Sequence, residues 1–278
     1  MPESTVNFVS ATIRQGLFTR VVGRRVLFYQ EIGSTMDEAA RLAREKPGQG
    51  TESGTGTGTV EGTVVVAESQ TMGRGRFGRN WVSPEGNIYL SVVFRPTMEN
   101  LPFLSILAGV ATVQTIGKIT GLQARIKWPN DVMVGGLKAA GILVESVVEG
   151  DSVCYAVLGI GLNVGLDPKQ SEETAGLAIS LESATGRKVS REEALRQLLQ
   201  DLDSLYLKLQ HGGSPLGQWR EMLDTLGRNV RVSWSGGGDS QTGYAEDIDN
   251  LGNLLLRLDD GSLITVTAGD VTLAAPGT

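Results

Sequence analysis

The chain has 278 residues, a net charge of −6 and an isoelectric point near 5.0, which argues against the broad basic surface of a nucleic-acid binder and leaves room only for a local patch. One cysteine, Cys154, and one histidine, His211, exclude an internal disulfide framework, a cysteine-rich metal site and a local histidine-based triad. A reducing, cytoplasmic setting is expected, and at this length a chain buries roughly 75% of its unfolded surface without staples.

The amino terminus lacks the basic and apolar regions of a signal peptide, and no apolar run approaches the roughly 18 residues of a membrane span, so no membrane partner is expected. Residues 1 to 24 hold one short helical candidate, Ser10 to Phe18, too few for an independent helix-turn-helix. Val26 to Gln30 reads as a strand. Ser34, with Asp37 three residues on, opens a capped helix over Thr35 to Arg44; a polar pair at such a turn is equally well placed to hydrogen-bond a ligand. Pro47 to Gly62, rich in Gly, Thr and Glu, reads as a mobile surface loop.

Thr63 to Glu68 is a buried strand that delivers Gln70 and the stretch Gly73-Arg74-Gly75-Arg76-Phe77-Gly78-Arg79. Glycines admit positive φ and close backbone approach, while arginines supply permanently charged forks, so the stretch reads as an anion cradle, with a merely flexible basic loop as the alternative. Gly73-x-Gly75-x-x-Gly78 also matches a dinucleotide-binding pattern, but the β-rich run Ile88 to Phe94 follows where that pattern needs a helix.

A helix is expected over Leu101 to Ile119 and a strand over Ala124 to Lys127. Lys127-Trp128-Pro129-Asn130-Asp131 then turns a tight corner into Val132 to Val134 and Lys138 to Glu145. Its charges suit phosphate and Mg²⁺ handling, or simply decorate a surface turn. A hairpin about Glu149-Gly150-Asp151 leads into Gly159-Ile160-Gly161-Leu162-Asn163, where Asn163 either reads an amide-bearing ring or closes a turn. Ser190 and Glu193 open a helix to about Leu209 whose apolar stripe faces a core. After Leu223 the texture changes to short strands at Val230 to Trp234, Gln241 to Asp247, Asn253 to Arg257 and Leu263 to Val266, separated by turns that include Gly236-Gly237-Gly238. This suggests a small barrel, with the boundary placed between 1–225 and 226–278.

The motifs starting at Gly73, Lys127 and Lys138, in that order, resemble biotin protein ligase, in its class lacking a DNA-binding domain, from about residue 26 to the end. The resemblance implies an α+β fold: a mixed sheet packed with helices, as in class II tRNA synthetase cores, plus a C-terminal SH3-like barrel. It implies an ATP-dependent ligase that makes biotinyl-5'-AMP and passes biotin to a lysine of a biotin carboxyl carrier domain, with biotin and Mg·ATP as substrates and no tightly bound prosthetic group. Ser34, Thr35 and Gln70 match residues on the biotin ureido ring, with Met36 beside them and Gly73, Arg74, Gly75, Arg76 and Gly141 around biotin. Lys138 matches the lysine reaching the biotin carboxylate and α-phosphate. Arg74, Arg76, Arg79, Trp81, Lys127, Asn130, Lys138 and Asn163 fall to ATP. Arg76, Lys138 and Asp131 are the implied catalytic set, Asp131 beside Mg²⁺ or the incoming lysine. A homodimer is compatible with the resemblance, and DNA is not an expected partner. Lys138-Ala139 departs from a more usual Lys-Leu or Lys-Val, and Pro47 to Gly62 looks like an insertion. The rivals are a lipoate or octanoate ligase, a dinucleotide-dependent oxidoreductase and a non-enzymatic biotin-responsive regulator.

Overall fold

Valine-rich runs of seven residues form the middle of a mixed sheet. A computed structural model describes residues 16–45, 60–165, 176–234 and 240–273. Strands β1 (Val26–Ile32), β2 (Val64–Gln70), β3 (Ile88–Phe94), β4 (Ala124–Lys127), β5 (Asp131–Val134), β6 (Leu137–Glu149) and β7 (Ser152–Leu162) lie in the order β1-β2-β3-β7-β6-β5-β4. β1 and β2 run parallel and every other neighbouring pair is antiparallel. All seven residues of β3 are buried. Apart from Ser91 its texture is that of a strand covered on both faces, which is predominantly apolar.

On one face lies helix α1 (Thr35–Arg44), whose Met36, Ala39, Leu42 and Ala43 pack on Val65, Val93 and Val157. The opposite face carries α2 (Phe103–Thr120) and α4 (Arg191–Gln210), with the short α3 (Leu181–Thr185) and α5 (Leu216–Met222) at their ends. The expected serine caps form: Ser34 accepts from Met36 N and Ser190 from Glu193 N. Asp203 of α4 accepts from the backbone N–H groups of Arg20, Val21 and Val22 at 2.7–2.8 Å and fixes the chain entering β1.

Strands β8 (Asn229–Ser233), β9 (Ser240–Ile248), β10 (Leu254–Arg257), β11 (Leu263–Val266) and β12 (Asp270–Leu273) form a second, antiparallel sheet ordered β11-β10-β9-β8-β12. Its buried Val230, Val232, Leu254, Leu256 and Val271 continue the hydrophobic core of the first sheet. Trp128, 2% exposed, bolts the two together: its N–H meets Thr225 Oγ1 at 2.9 Å and its indole N–H donates to Gly252 O at 3.0 Å.

Three expectations need correction. Helix α2 has 18 residues with one charge, Lys118, and is apolar and long enough to cross a membrane; eleven of its residues are instead buried within the fold, because a helix roofed by a sheet and flanked by α4 and α5 is apolar all round for the same reason a spanning one is. Strand β12 was not anticipated. Nor was the short helix α3. Of the helical candidate Ser10 to Phe18 only the last three residues are described, and they are not helical. Residues 47–59 of the Gly/Thr stretch and the Gly236–Gly238 turn lie outside the described residues.

Candidate active site

A cavity of about 280 Å³ opens where the end of β2 and the start of α1 meet the face of β6 and β7. Its floor is made of absences. Beta carbons added at Gly141 and Gly161 would come within 2.7 and 2.5 Å of the Trp81 ring, and one at Gly159 within 2.5 Å of Met36 Sδ. Only hydrogen side chains let the indole and the thioether lie flat on the sheet. The Trp81 indole N–H is buried in this wall with no partner among the described residues. Burial pushes the Tyr89 phenol, also in the lining, up to about 12.

One corner is polar and ordered. Gln70 Oε1 accepts from Thr35 N at 2.8 Å and Thr35 Oγ1 at 3.1 Å, while Gln70 Nε2 donates to Ser83 Oγ at 3.0 Å. Ser34 is 2% exposed and accepts from Met36 N, so the capping and ligand-facing readings of this residue hold together: it caps α1 and lines the cavity.

Cations rim the rest of the cavity, and each holds an internal anion. The glycine-arginine stretch folds as a small hydrogen-bonded hairpin: Arg74 bridges Asn80, Gly75 N donates to Arg79 O at 2.8 Å, and Trp81 N to Gly73 O at 2.9 Å. Arg76–Gly78 form a 3₁₀ turn in which Phe77 takes φ 58°, the one positive φ on a non-glycine among the described residues. Arg74 pairs with Asp37 and, at 3.0 Å, with Glu145. Arg76 donates to Asn130 Oδ1 at 3.2 Å and Gly269 O at 3.1 Å, with Asp270 Oδ1 at 3.6 Å; Arg79 pairs with the same Asp270. Burial lowers the Arg76 pKa, with Asp270 and Asp131 opposing. Burial likewise works against Arg74, but Asp37 and Glu145 hold its pKa above the usual value. Lys138 Nζ sits 2.7 Å from Asp131 Oδ1 and 5.0 Å from the Trp81 ring centroid.

Ser34, Thr35, Met36, Gln70, Arg74, Gly75, Arg76, Arg79, Trp81, Asn130, Asp131, Lys138, Gly141 and Asn163 all line this cavity. Gly73 and Lys127 do not. Gly73 stands behind the wall, where a beta carbon would meet Trp81 O at 2.4 Å and Ser83 Oγ at 2.5 Å, and Lys127 ends β4 across from Asp131. Asn130 donates to Ile142 O at 2.7 Å, which turns its oxygen to Arg76. Asn163 donates to Lys138 O at 3.2 Å, so it joins strand ends while still facing the cavity. Among the described residues no group of three or more His, Cys, Asp or Glu side chains is placed to hold a metal. The two carboxylates in the lining, Asp131 and Asp270, are each paired with a cation, which fits a Mg²⁺ carried on phosphates better than a protein cage.

The reading of the sequence missed twelve residues of the lining, among them Tyr89, Gly159, Gly161, Leu177, Ala178 and Asp270. Asp270 is the informative omission. It belongs to the unanticipated β12, some 190 residues from the arginines it holds, and its only local signal was Gly269 before a short β-branched run.

An ordered donor–acceptor corner, an apolar slot and a cluster of cations line one cavity, which offers hydrogen bonds to a polar group and positive charge to anions. Known proteins agree. Residues 56–163 match the model of the biotin/lipoate A/B protein ligase family, and 225–273 match the biotin protein ligase C terminal domain. The bifunctional ligase/repressor BirA of Bacillus subtilis is 36% identical over 255 residues, covering 90% of this chain and 74% of that protein. The biotin–[acetyl-CoA-carboxylase] ligase of Mycobacterium tuberculosis is 34% identical over 220 residues, 76% of this chain and 79% of that one. The solved biotin protein ligase of Aquifex aeolicus, in complex with biotin and ATP, superposes with a TM-score of 0.72 at 28% identity over 90% of this chain and 99% of that chain. The chain belongs to the biotin protein ligase family.

Proposed function

We propose that this enzyme activates biotin with ATP as biotinyl-5'-AMP and transfers the biotinyl group to a lysine of a biotin carboxyl carrier domain. The observation that carries this is the cavity's polarity: a buried donor–acceptor corner at Ser34 and Thr35, and the cations Arg76 and Lys138 on the rest of its rim. In the first step a carboxylate oxygen attacks the α-phosphorus, the bond to the β-phosphate breaks and pyrophosphate leaves. Two anions must approach, and the arginines and Lys138 offset their repulsion once they exchange internal carboxylates for substrate. Asp131 would be the carboxylate available to a Mg²⁺ carried on the ATP phosphates, which would offset part of their charge. In the second step the neutral lysine amine attacks the acyl carbon, AMP leaves and the amine loses a proton.

A lipoyl or octanoyl chain would leave the Ser34 hydroxyl proton, whose oxygen accepts from Met36 N, without an acceptor, and an unpaired buried donor costs about 1–3 kcal/mol. The C-terminal sheet, with β8 between β9 and β12, supports an SH3-like barrel. The mixed sheet backed by helices supports a class II synthetase-like core, and the second family match beginning at 225 supports a division near residue 226. The lone cysteine supports a cytoplasmic location, and the net charge of −6 supports a protein that does not take DNA as a partner. The test is incubation with biotin, Mg·ATP and a carrier domain, probed with streptavidin, and mass spectrometry of the bound adenylate with lipoate and octanoate as parallel arms. An adenylate formed only from lipoate or octanoate would overturn the reading.

A further inference from the structure

The polar corner is backed by a serine that the cavity does not expose. Ser91 sits on β3, 0% exposed, opposite Val65 on one side and Gly159 on the other. Its hydroxyl lies 2.8 Å from Thr35 Oγ1. A fully buried hydroxyl without an acceptor loses about 1–3 kcal/mol, and Thr35 is the acceptor available, so Ser91 donates. Thr35, having received that proton, turns its own to Gln70 Oε1 at 3.1 Å. Thr35 N at 2.8 Å takes up the other side of the same oxygen. The amide is thereby oriented: Nε2 faces Ser83 Oγ, whose proton goes to Trp81 O at 2.8 Å. Gly73 leaves the space in which Ser83 and Trp81 O meet.

We infer that Ser91 and Ser83 are positioning residues, the two ends of a one-way hydrogen-bond relay, Ser91 to Thr35 to Gln70 and Gln70 to Ser83 to Trp81 O, that fixes which way the corner presents its donors and acceptors. With the relay set, Thr35 Oγ1 has spent its proton and accepts one hydrogen bond, leaving a single lone pair, which accepts a ligand N–H. Ser34, which accepts from Met36 N, keeps its own proton for a ligand carbonyl. Adjacent residues thus offer one acceptor and one donor, the complement of an N–H beside a C=O. Without Ser91 the Thr35 hydroxyl keeps only Gln70 Oε1 to orient it, and the ligand meets a less firmly set acceptor.

This inference rests on the biotin reading and is tested by separating the binding of biotin from everything else. Ser91→Ala is compared with the parent and with Ser91→Thr, which keeps the hydroxyl, using calorimetric biotin Kd, steady-state KM for biotin and ATP, kcat, and thermal melting. The expected result is a three- to tenfold weaker biotin Kd and KM, the range that one net hydrogen bond spans, with ATP KM and kcat within twofold and recovery in Ser91→Thr. Ser83→Ala, at the partly accessible end, moves biotin in the same direction and decides the matter if Ser91→Ala does not fold. A parent that binds no biotin overturns the functional reading and the relay together. A parent that binds biotin, with both alanine variants within twofold of it or with ATP KM moving as much as biotin KM, overturns the relay alone.

Discussion

Arg76 is held on four sides: by Asn130 Oδ1, by Gly269 O, by the Asp270 carboxylate, and by the Phe77 ring 4.6 Å from its guanidinium carbon. None of these partners is a substrate, and under the proposed function the carboxylate or phosphate of the substrates takes the place of the polar ones. Removing one charge-assisted donor to developing charge costs about 2.7–4 kcal/mol, roughly 10²–10³ in rate or escape. Arg76→Gly is therefore expected to release biotinyl-adenylate roughly 10²–10³ times faster than the parent in pulse-chase, and to label lysines of a bystander protein. Retention equal to the parent would make Arg76 a strut for the loop. Gly161 marks a second point of precision, because a methyl there would lie 2.5 Å from the Trp81 ring. Gly161→Ala should push the indole into the slot and raise biotin KM by at least tenfold with a shifted tryptophan emission; an unchanged KM would show that the ring has room to move.

The elements that matter most are a hairpin and a strand far apart in the chain. The arginine hairpin contributes Arg76 and Arg79, and β12 contributes Asp270, which is 42% exposed at its side chain and so supplies only about 0–1 kcal/mol through each pair. A pair of that strength biases the loop without locking it. Asp270→Asn should speed hydrogen exchange across residues 73–80 of the free protein by up to about fivefold, the factor that corresponds to 1 kcal/mol, while protection with biotin and ATP bound stays at the parent level. Equal exchange in the free proteins would mean that the hairpin's own hydrogen bonds, Gly75 to Arg79 and Trp81 to Gly73, carry its order.

For the molecule as a whole, Trp128 is the joint. Its indole N–H to Gly252 O is one of the few polar links across a continuous apolar core. Trp128→Phe keeps an aromatic ring but strands that carbonyl, a loss of about 1–3 kcal/mol, and should lower Tm by about 2–4 °C for each kcal/mol. Because β12 hangs on the same sheet as Gly252, hydrogen exchange at residues 73–80 should rise with it. A lower Tm with unchanged exchange there would uncouple the joint from the site. A second whole-molecule expectation comes from charge: mobility shift at 150 mM salt should show no sequence-specific DNA complex at nanomolar protein, and such a complex would refute the DNA-free reading.

What could be read from the residues alone was what local chemistry dictates. Valine runs bounded by turns located β2 and β3, the serine with an acid three residues on gave α1 its start, and three motif blocks supplied the arginines, Asn130, Asp131 and Lys138 of the cavity lining. Periodicity and capping act within a few residues of the chain, so they are written where they operate. Leu263 to Val266 was legible as a strand for the same reason, whereas β12, with four residues and only Val271 fully inward, carried too little alternation to be seen. The burial of the apolar helix α2 inside the fold, the placement of Gly73 behind the wall instead of in it, and the capture of Arg76 and Arg79 by Asp270 were decided in three dimensions. Each depends on which side chain meets which across tens or hundreds of residues. The sequence by itself determined the kinds of groups available, a hydroxyl pair, an amide, arginines and a lysine. Only the tertiary structure decided their polarity and their partners, because a hydrogen bond's direction and an ion pair's identity belong to neighbours that burial, not sequence spacing, brings together.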